Sequence, residues 1–310
     1  MKIVTLTLNP AFDVHCTVES LTLGREHLCA ITDREAGGKG VNISRALTKN
    51  GIENLALVVL GAENGDDFCR RLESDGMRYL SLTLPGRIRE NITIHPSFGE
   101  ETRLSFAGFS VDESLPDMVE AAISPTLATG DVVTLTGRIP SGIGMEAIID
   151  FVERLQSKGV RVVIDSRSFT LDDLRRTRPF LIKPNAEEIA EYLGRKVSGA
   201  EDVREAARAL HADGIENVMI SLGEMGALLV CDEGEFLATP PSVTVLSTIG
   251  AGDSSIAGFL SALSEGLSCR EALRRAVAFG TAACKSSGTR PPEPCDVTEI
   301  EGQVNMRELS

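Results

Sequence analysis

The sequence has 310 residues, a formal net charge of −14 at pH 7 and 42% hydrophobic residues. This length and composition are typical of one large α/β domain or two smaller globular domains. The strong negative charge, together with 4% aromatic residues and no tryptophan, argues against nucleic acid or an anionic membrane surface as a partner.

Short β-branched runs alternate along the chain with longer segments of helical periodicity. In chain order, the predicted elements are strand Ile3–Leu8, helix Val41–Lys49, strand Leu55–Leu60, helix Asp66–Ser74, strand Val132–Thr136, helix Met145–Ser157, strand Val160–Asp165, strand Phe180–Ile182, helix Glu187–Leu193, helix Val203–His211, strand Val218–Ser221, helix Ser254–Ser264 and helix Arg270–Lys285. Continuously apolar strands between helices predict a mostly parallel sheet covered on both faces. Ligands of such folds bind at the carboxyl ends of the strands.

Two segments, residues 11–35 and 87–109, depart from this pattern because polar and apolar residues alternate in them, as in ENITIHP and TRLSF. Alternation predicts strands with one exposed face, which would form a small antiparallel sheet beside the main body. We interpret this sheet as a lid that excludes water when it closes over the strand ends. Its exposed edges and apolar face suit a homodimer.

The cysteine pattern and the N-terminus indicate the cellular compartment. The seven cysteines are scattered without a Cys-x-x-Cys pair, which predicts reduced thiols rather than a zinc ribbon or a disulfide framework. Thr7, Asn9 and Pro10 interrupt the N-terminal segment before a signal-type apolar stretch develops. No apolar run approaches the ~20 residues needed to cross a bilayer. We therefore expect a cytoplasmic protein without a membrane partner.

The segment TIGAGDSSIAGF, Thr248–Phe259, places a glycine-flanked turn and one aspartate before an apolar helix. Gly250 and Gly252 allow successive N–H groups to point into one concavity, and the helix dipole adds to an anion site there. Asp253 beside that site has two interpretations. It is a helix N-cap, or it is the base that phosphoryl transfer to a hydroxyl requires.

A second glycine-rich turn, REAGGKGVNISRAL, also precedes a helix. It matches neither a Walker A loop nor a dinucleotide fingerprint, which disfavours a P-loop enzyme and a dinucleotide oxidoreductase. Gly37, Gly38 and Gly40 let the backbone approach a ligand closely, while Lys39 and Asn42 offer a cation and an amide. This combination favours a polyhydroxylated or phosphorylated ligand.

The segment LIKPNAEEIAEYL ends a predicted strand at Lys183 and begins a helix after Pro184. Asn185 and Glu188 lie three residues apart and share one face of that helix. They form either a capping box or a site that holds Mg²⁺ through water next to nucleotide phosphates, since magnesium keeps most of its own waters.

These three segments together resemble the ribokinase/PfkB family of sugar kinases, in the expected order and spacing and over essentially the whole chain. TLTLNPAFD near the N-terminus is similar to the branch that phosphorylates hexoses already carrying a phosphate. The resemblance implies that residues 1–310 form a single catalytic domain, a ribokinase-like three-layer α/β/α sandwich with a mostly parallel central sheet and a small antiparallel β lid. It also implies ATP as the phosphoryl donor, with Mg²⁺, and a monovalent cation near Ser247–Ile249 and Cys284–Gly288.

The resemblance further implies a role for each motif residue. Asp253 would be the base for the sugar hydroxyl, and the amides of Gly250, Ala251 and Gly252 would form the anion hole for the transferred phosphoryl group. The residues that match sugar-holding positions are Asp13, Gly38, Lys39 and Asn42. The lid arginines Arg89 and Arg103 would grip the substrate's own phosphate. The residues on the nucleotide side are Lys183, Asn185, Ser221, Gly223 and Gly226, with Asn185 and Glu188 governing the magnesium.

The identity of the sugar depends on finer features. FAGFSV and PPSVTVLSTIGAGDS resemble the family members that convert fructose 1-phosphate to fructose 1,6-bisphosphate. Tagatose 6-phosphate, fructose 6-phosphate or a neutral ketohexose is the alternative substrate, and a non-catalytic sugar-phosphate sensor is the alternative of another class. Relatives usually have a serine at the position of Arg138. Arg138 either adds a phosphate contact or reshapes the sugar pocket.

Overall fold

The computed structural model describes residues 1–194, 199–286 and 288–309. Its strands are β1 Ile3–Thr7, β2 Ala11–Ser20, β3 Ala30–Gly37, β4 Leu55–Gly61, β5 Tyr79–Leu84, β6 Arg89–Phe98, β7 Thr102–Leu104, β8 Val132–Thr136, β9 Arg161–Asp165, β10 Leu181–Ile182, β11 Asn217–Ser221, β12 Ala227–Cys231, β13 Gly234–Thr239 and β14 Asn305–Glu308. Its α-helices are α1 Lys39–Lys49, α2 Gly65–Ser74, α3 Leu115–Ile123, α4 Met145–Ser157, α5 Leu171–Thr177, α6 Ala186–Leu193, α7 Gly199–Ala212, α8 Ala251–Ser264, α9 Cys269–Ala283 and α10 Pro294–Glu301.

The main sheet has the strand order β14-β13-β12-β11-β10-β9-β8-β1-β4-β5. The strands from β5 across to β11 pair in parallel, and β11 to β14 pair antiparallel. The central strands β1 and β8 are buried at every position, as expected where helices cover both faces of a parallel sheet.

Two apolar clusters fill the space on the two faces of the main sheet. Helices α3 to α7 contribute to the cluster on one face, and α1, α8, α9 and α10 contribute to the cluster on the other. The helices and the sheet therefore form three layers, which confirms the predicted α/β/α sandwich. None of the helices in the described part of the chain is long and apolar enough to cross a membrane.

The small sheet has the order β3-β2-β6-β7. It lies within the two predicted segments except that β3 extends to Gly37. The outer pairs are antiparallel as expected, but the middle pair, β2 with β6, is parallel. The physical reason is the connection: β3, α1, β4, α2 and β5 intervene between β2 and β6, and a crossover of that length returns the chain to the same end of the sheet.

The strand order reverses next to β1, because the chain builds outward through β4 and β5 and then returns to add β8 on the other side. Such a switch point leaves a crevice at the carboxyl ends of β1 and β8, where ligands of open α/β sheets bind. The N-termini of α1 and α8 open into that crevice, and the small sheet stands beside it.

Candidate active site

A cavity of about 500 Å³ occupies the crevice at the carboxyl ends of β1 and β8. It brings together eleven of the residues that the sequence predicts for substrate, nucleotide and catalysis. These residues are Asp13, Gly38, Lys39, Asn42, Arg89, Arg103, Arg138, Lys183, Gly250, Gly252 and Asp253. Motifs separated by up to 240 positions in the chain therefore face one space.

Asp253 lies in the first turn of α8, as its third residue. The N-cap of this helix is Gly250, whose φ of 79° is in the left-handed region that favours glycine. The Asp253 side chain is 7% exposed and makes no capping bond. Its Oδ2 instead accepts a hydrogen bond of 2.8 Å from Nδ2 of Asn42. The N-cap interpretation of Asp253 is therefore wrong.

The protonation chemistry of Asp253 follows from its surroundings. Burial raises its pKa to about 6, because a carboxylate loses hydration there; the positive charge of Lys39 opposes this shift, and the carboxylate of Asp165 adds to it. A carboxyl group with this pKa is mostly ionised at pH 7 yet more basic than an exposed aspartate. These are the properties of a general base.

The predicted anion hole is only partly free for a ligand. Gly250 and Gly252 line the cavity. The N–H of Ala251, by contrast, donates to the carbonyl oxygen of Thr248 at 3.3 Å. Gly250 and Gly252, but not Ala251, therefore line the space that a ligand would fill.

Two lysines and one further carboxylate flank Asp253. Lys39 Nζ donates to Oδ2 of Asp165 at 2.9 Å, and Lys183 lines the same cavity. Burial alone would raise the pKa of Asp165, but the charges of Lys183 and Lys39 outweigh it and hold that pKa below its usual value. Burial lowers the pKa of Lys39, but the negative charges of Asp165 and Asp253 outweigh burial and raise that pKa overall. The site therefore holds fixed charges of both signs near the base.

Asp13 is held by the small sheet. Its Oδ1 accepts hydrogen bonds from Nδ2 of Asn91 at 3.0 Å and from Nη2 of Arg103 at 3.1 Å. Gly37 on the neighbouring strand makes room for it, since a Cβ there would lie 2.1 Å from Oδ2 of Asp13. Asp13 is thus a buried acceptor with a set orientation, suited to binding hydroxyl groups.

Three guanidinium groups meet at the small-sheet side of the cavity. Arg89 donates to the carbonyl oxygens of Phe106 at 2.7 Å and Asn9 at 3.3 Å, which fixes its position. Burial lowers the pKa of Arg89, and the positive charges of Arg138 and Arg103 add to that shift. Asp13 is the carboxylate that opposes these charges at Arg89. Three guanidinium groups beside one carboxylate leave a net positive charge, which creates a binding site for a multiply charged anion.

Of the residues predicted for the nucleotide and the metal, Lys183 lines the cavity and Glu188 lines a small pocket next to it. Asn185 and Glu188 form the capping box of α6: Oδ1 of Asn185 accepts from the Glu188 N–H at 2.8 Å, and Oε2 of Glu188 accepts from the Asn185 N–H at 3.0 Å. Oε1 of Glu188 accepts from Nε of Arg167 at 2.8 Å. Asp165, Lys183 and Glu188 line a small adjoining pocket.

The remaining nucleotide-side residues follow β11. Ser221 forms a parallel bridge with Asn185, which places the two motifs side by side. Gly226 has a φ of 95°, and a Cβ there would lie 1.9 Å from the carbonyl oxygen of Ala238. Gly226 is therefore required for the close approach of β13. Gly223 has a φ of 62° and no neighbouring atom where a Cβ would be.

The structure adds residues that the sequence motifs do not include. Asp165 ends β9, and a rule that flags polar residues at carboxyl ends of parallel strands would have found it. Thr7 and Thr136 end β1 and β8 and line the cavity, and their buried hydroxyls have no hydrogen-bond partner among the described residues. Buried polar atoms of this kind indicate contact with a ligand or water.

Comparison with known proteins agrees with this geometry. The family model described as pfkB family carbohydrate kinase matches residues 7–295. The 1-phosphofructokinase of Rhodobacter capsulatus is 36% identical over all of this chain and 98% of its own length, and that of Escherichia coli strain K12 is 36% identical over 99% and 98%. Among solved structures, phosphofructokinase-2 of Escherichia coli in complex with potassium superposes with a TM-score of 0.91 at 28% identity, over 97% of this chain and 98% of that one. With the family model and full-length relatives in agreement, the chain belongs to the pfkB family of carbohydrate kinases.

Proposed function

We propose that the protein transfers the γ-phosphoryl group of ATP to fructose 1-phosphate, giving fructose 1,6-bisphosphate and ADP. The observation that carries this proposal is the cavity itself, in which the buried carboxylate of Asp253 faces the same space as Arg89, Arg103 and Arg138. A base and a cluster of guanidinium groups match a substrate with one hydroxyl to be phosphorylated and one phosphate already present. The choice of sugar is supported by the relatives at 36% identity, which are 1-phosphofructokinases.

The chemistry at Asp253 is general-base catalysis. Its carboxylate takes the proton of the sugar hydroxyl while that oxygen forms a bond to the γ-phosphorus and the bond from the γ-phosphorus to the β,γ-bridging oxygen breaks. The N–H groups of Gly250 and Gly252 and the ammonium of Lys39 stabilise the negative charge on the transferred group. The hydrogen bond from Asn42 holds the carboxylate in place for the hydroxyl.

The small sheet holds the sugar. Asp13 accepts hydrogen bonds from sugar hydroxyls, and the three arginines bind the phosphate of the substrate. Arg138 enters from the loop after β8 rather than from the small sheet, so it approaches that phosphate from the main body. We interpret it as a phosphate contact, because its charge lowers the pKa of Arg89 and a phosphate between the two would relieve that repulsion.

The nucleotide is proposed to lie beside Asn185, Ser221, Gly223 and Gly226, with its phosphates directed toward Lys183. The residues present fit a magnesium ion: carboxylates of Asp165 and Glu188 line one small pocket next to the cavity, and oxygen donors of this kind are what Mg²⁺ prefers. Because Glu188 is also engaged in the capping box and with Arg167, it would hold the ion through water. Bound Mg²⁺ supplies neutralisation of the phosphate oxygens.

A monovalent cation is proposed between the segments 247–249 and 284–288. The first segment lies next to the second, since the N–H groups of Leu246 and Ser247 both donate to the carbonyl oxygen of Cys284, at 2.8 and 3.4 Å. Ser287 in the second segment lies outside the described residues. The expected outcome is a rate that rises when potassium chloride replaces tetramethylammonium chloride at equal ionic strength. An equal rate in both salts would remove this part of the proposal.

A homodimer through the small sheet is proposed from exposed apolar side chains in its strands and in the segments next to them. Those in the strands are Ile31, Phe98 and Leu104, and those in the adjoining segments are Leu23, Leu28 and Phe106, each at least 44% exposed. Exposed apolar groups gathered in one part of a structure mark an association surface. One solved structure of the Escherichia coli phosphofructokinase-2 is a tetrameric form. Light scattering on wild type and on Leu28→Glu tests the dimer, which the charge is expected to dissociate.

The experiment that decides the function is a panel of acceptors assayed for ADP release: fructose 1-phosphate, fructose 6-phosphate, tagatose 6-phosphate and fructose. We expect the highest kcat/KM with fructose 1-phosphate. A higher value with either 6-phosphate would reassign the substrate within the same chemistry. Thermal stabilisation by the sugar phosphates without any ADP release would instead identify a sensor. We assign the reaction to the cytoplasm, where ATP is available and thiols are reduced in the absence of an oxidant.

A further inference from the structure

Two free cysteines come together where β12, an inner strand of the main sheet, ends and where α9 begins. Cys231 is the last residue of β12, and Cys269 is the first residue of α9. α9 runs from there to the segment after Ala283 that borders the cavity. Neither thiol takes part in the proposed catalysis.

The contacts around the two thiols bring them together. Asn217 pairs with Cys231 across the β11–β12 ladder, and the Cys269 thiol donates to Oδ1 of this same Asn217 at 3.5 Å. The backbone N–H of Cys269 donates to Oε2 of Glu233 at 2.9 Å. Glu233 lies in the two-residue turn just after Cys231. The N-terminus of α9 is therefore held against the β12–β13 turn on both sides of the pair.

The two thiols also influence each other's ionisation. Cys269 lowers the pKa of Cys231, while burial opposes the shift, and the Cys231 thiol donates to the carbonyl oxygen of Gly234 at 3.6 Å. Cys231 in turn raises the pKa of Cys269, and burial adds to this shift. The contacts with Asn217 and Glu233 therefore hold a thiol of lowered pKa beside a second thiol, and two thiols held together in this way can be oxidised to a disulfide. Cys231 is 5% exposed, and Cys269 is half-buried, so a small oxidant reaches the pair from the Cys269 side.

We propose that Cys231 and Cys269 form a reversible disulfide on exposure to hydrogen peroxide, closing a clasp between the β12–β13 turn and the start of α9. In the first step a thiolate attacks one peroxide oxygen, the O–O bond breaks, and a sulfenic acid and hydroxide form. In the second step the other sulfur attacks the sulfenic sulfur, the S–S bond forms, and water leaves. Overall, two thiols and one hydrogen peroxide give one disulfide and two waters.

The clasp has a predictable mechanical effect. It closes the loop 232–268, which includes β13 and α8, and so restricts the unfolded chain far more than the folded one. The oxidised protein is therefore expected to have a higher melting temperature than the reduced protein. Kinase turnover is expected to be unchanged, because neither cysteine lines the cavity among the described residues.

The sequence offers a clean readout of this disulfide. No lysine or arginine lies between Arg208 and Arg270, so trypsin releases residues 209–270 as one peptide. Cys231 and Cys269 are its only cysteines. After mild peroxide treatment and blocking of free thiols, this peptide should lose two hydrogen atoms and escape alkylation, and dithiothreitol should restore both thiols.

Matched variants distinguish the clasp from general oxidation. Cys231→Ser and Cys269→Ser should each abolish the cross-linked peptide and the peroxide-induced rise in melting temperature, whereas Cys29→Ser and Cys295→Ser, at two exposed cysteines, should retain both. Alkylation of both thiols after peroxide, or their oxidation to separate sulfinic acids, would overturn the proposal. So would a disulfide that links either cysteine to another position.

Discussion

Nδ2 of Asn42 donates a hydrogen bond of 2.8 Å to Oδ2 of Asp253 and thereby joins the helix after one glycine-rich turn to the helix after the other. A second hydrogen bond fixes the orientation of the Asn42 amide, because its Oδ1 accepts from Nη1 of Arg45 at 3.3 Å. Arg45 is itself held by Asp75 at 2.7 Å. A chain of polar contacts from the protein body thus determines which atom of Asn42 faces the base.

Replacing Asp253 with asparagine is expected to lower kcat by about 10²- to 10⁴-fold, because the variant has no group to accept the hydroxyl proton. ATP binding should change little, since the amides of Gly250 and Gly252 remain. The measurement is steady-state ADP release together with isothermal titration of ATP. A variant that keeps more than a tenth of the wild-type turnover would show that Asp253 is not the base.

The dependence of rate on pH should report the pKa of Asp253, which burial raises to about 6. The ionised form is active, so kcat/KM is expected to fall as the pH drops below 6. The phosphate of the substrate titrates in the same range and needs a control. In Asn42→Asp a negative charge faces Asp253 and should move the limb to higher pH, whereas the titration of the sugar phosphate would not move. If the pH at which kcat/KM falls is the same in this variant as in wild type, the fall reports the titration of the substrate phosphate.

The burial of Asp253 also predicts that its ionised carboxylate lowers the stability of the folded state. Its pKa is raised on folding from 3.8 to about 6, so the folded state binds the proton more tightly, and stability falls as the pH rises through 6. Asp253→Asn removes a buried charge and should increase the free energy of unfolding at pH 7 by on the order of 3 kcal/mol. The gain should vanish at about pH 3 and below, where the wild-type carboxyl is protonated in both states. Urea unfolding at pH 7 and at about pH 3 measures both values, and a gain of equal size at the two pH values would contradict this account.

Arg138→Ser is expected to raise KM for the phosphosugar by about 10- to 100-fold, the effect of losing one charge-assisted hydrogen bond to a phosphate. KM for ATP should stay within twofold of wild type, because Arg138 lies on the small-sheet side of the cavity. Arg290→Ser, which removes a cation paired with Asp33 outside the cavity, is the matched control. If Arg138→Ser binds the phosphosugar as well as wild type and turns over a different sugar, Arg138 shapes the sugar pocket instead.

Gly37→Ala tests whether the carboxylate of Asp13 must keep its observed position for the sugar to bind. The new methyl group would lie 2.1 Å from Oδ2 of Asp13, so the carboxylate must move and its hydrogen bonds with Asn91 and Arg103 must change. We expect a loss of sugar affinity of at least tenfold with ATP affinity retained. Gly302→Ala, where a Cβ would make ordinary contacts at 3.6 Å or more, should behave as wild type in the same titrations. Full sugar affinity in Gly37→Ala would mean that Asp13 need not hold this position.

The sequence alone predicts the parallel strands of the main sheet except β5, but it predicts none of the antiparallel strands β12, β13 and β14, and it places the segments of the small sheet without the parallel pairing between them. Buried parallel strands are continuously apolar, so Val132–Thr136 is predicted with its observed bounds. The half-exposed β5, Tyr79–Leu84, and the short polar helix α5, Leu171–Thr177, carry weak periodicity and were missed. The parallel pairing of β2 with β6 depends on a connection through the main sheet, which no local pattern reports.

The candidate site shows the same division. Motifs with several glycines, a lysine and an asparagine are recognisable along the chain, and they meet in one cavity. Asp165 has no motif around it, and its importance arises from its 2.9 Å contact with Lys39, 126 residues away in sequence. The proximity of Cys231 and Cys269 is likewise a property of packing between a strand end and a helix start.

The parallel pairing of β2 with β6 has a mechanical consequence. β2 follows β1 and β6 follows β5, while β3 leads into α1 and β7 leads to α3, so four chain connections attach the small sheet along one edge of the main body. Asp13, Arg89 and Arg103 all belong to this attached piece, while Asp253 belongs to the main body. If the small sheet turned about that edge as a unit, the spacing among the sugar-holding groups would be preserved and only their distance to the base would change. The affinity for the sugar and the distance between the sugar hydroxyl and the base could then change independently of each other.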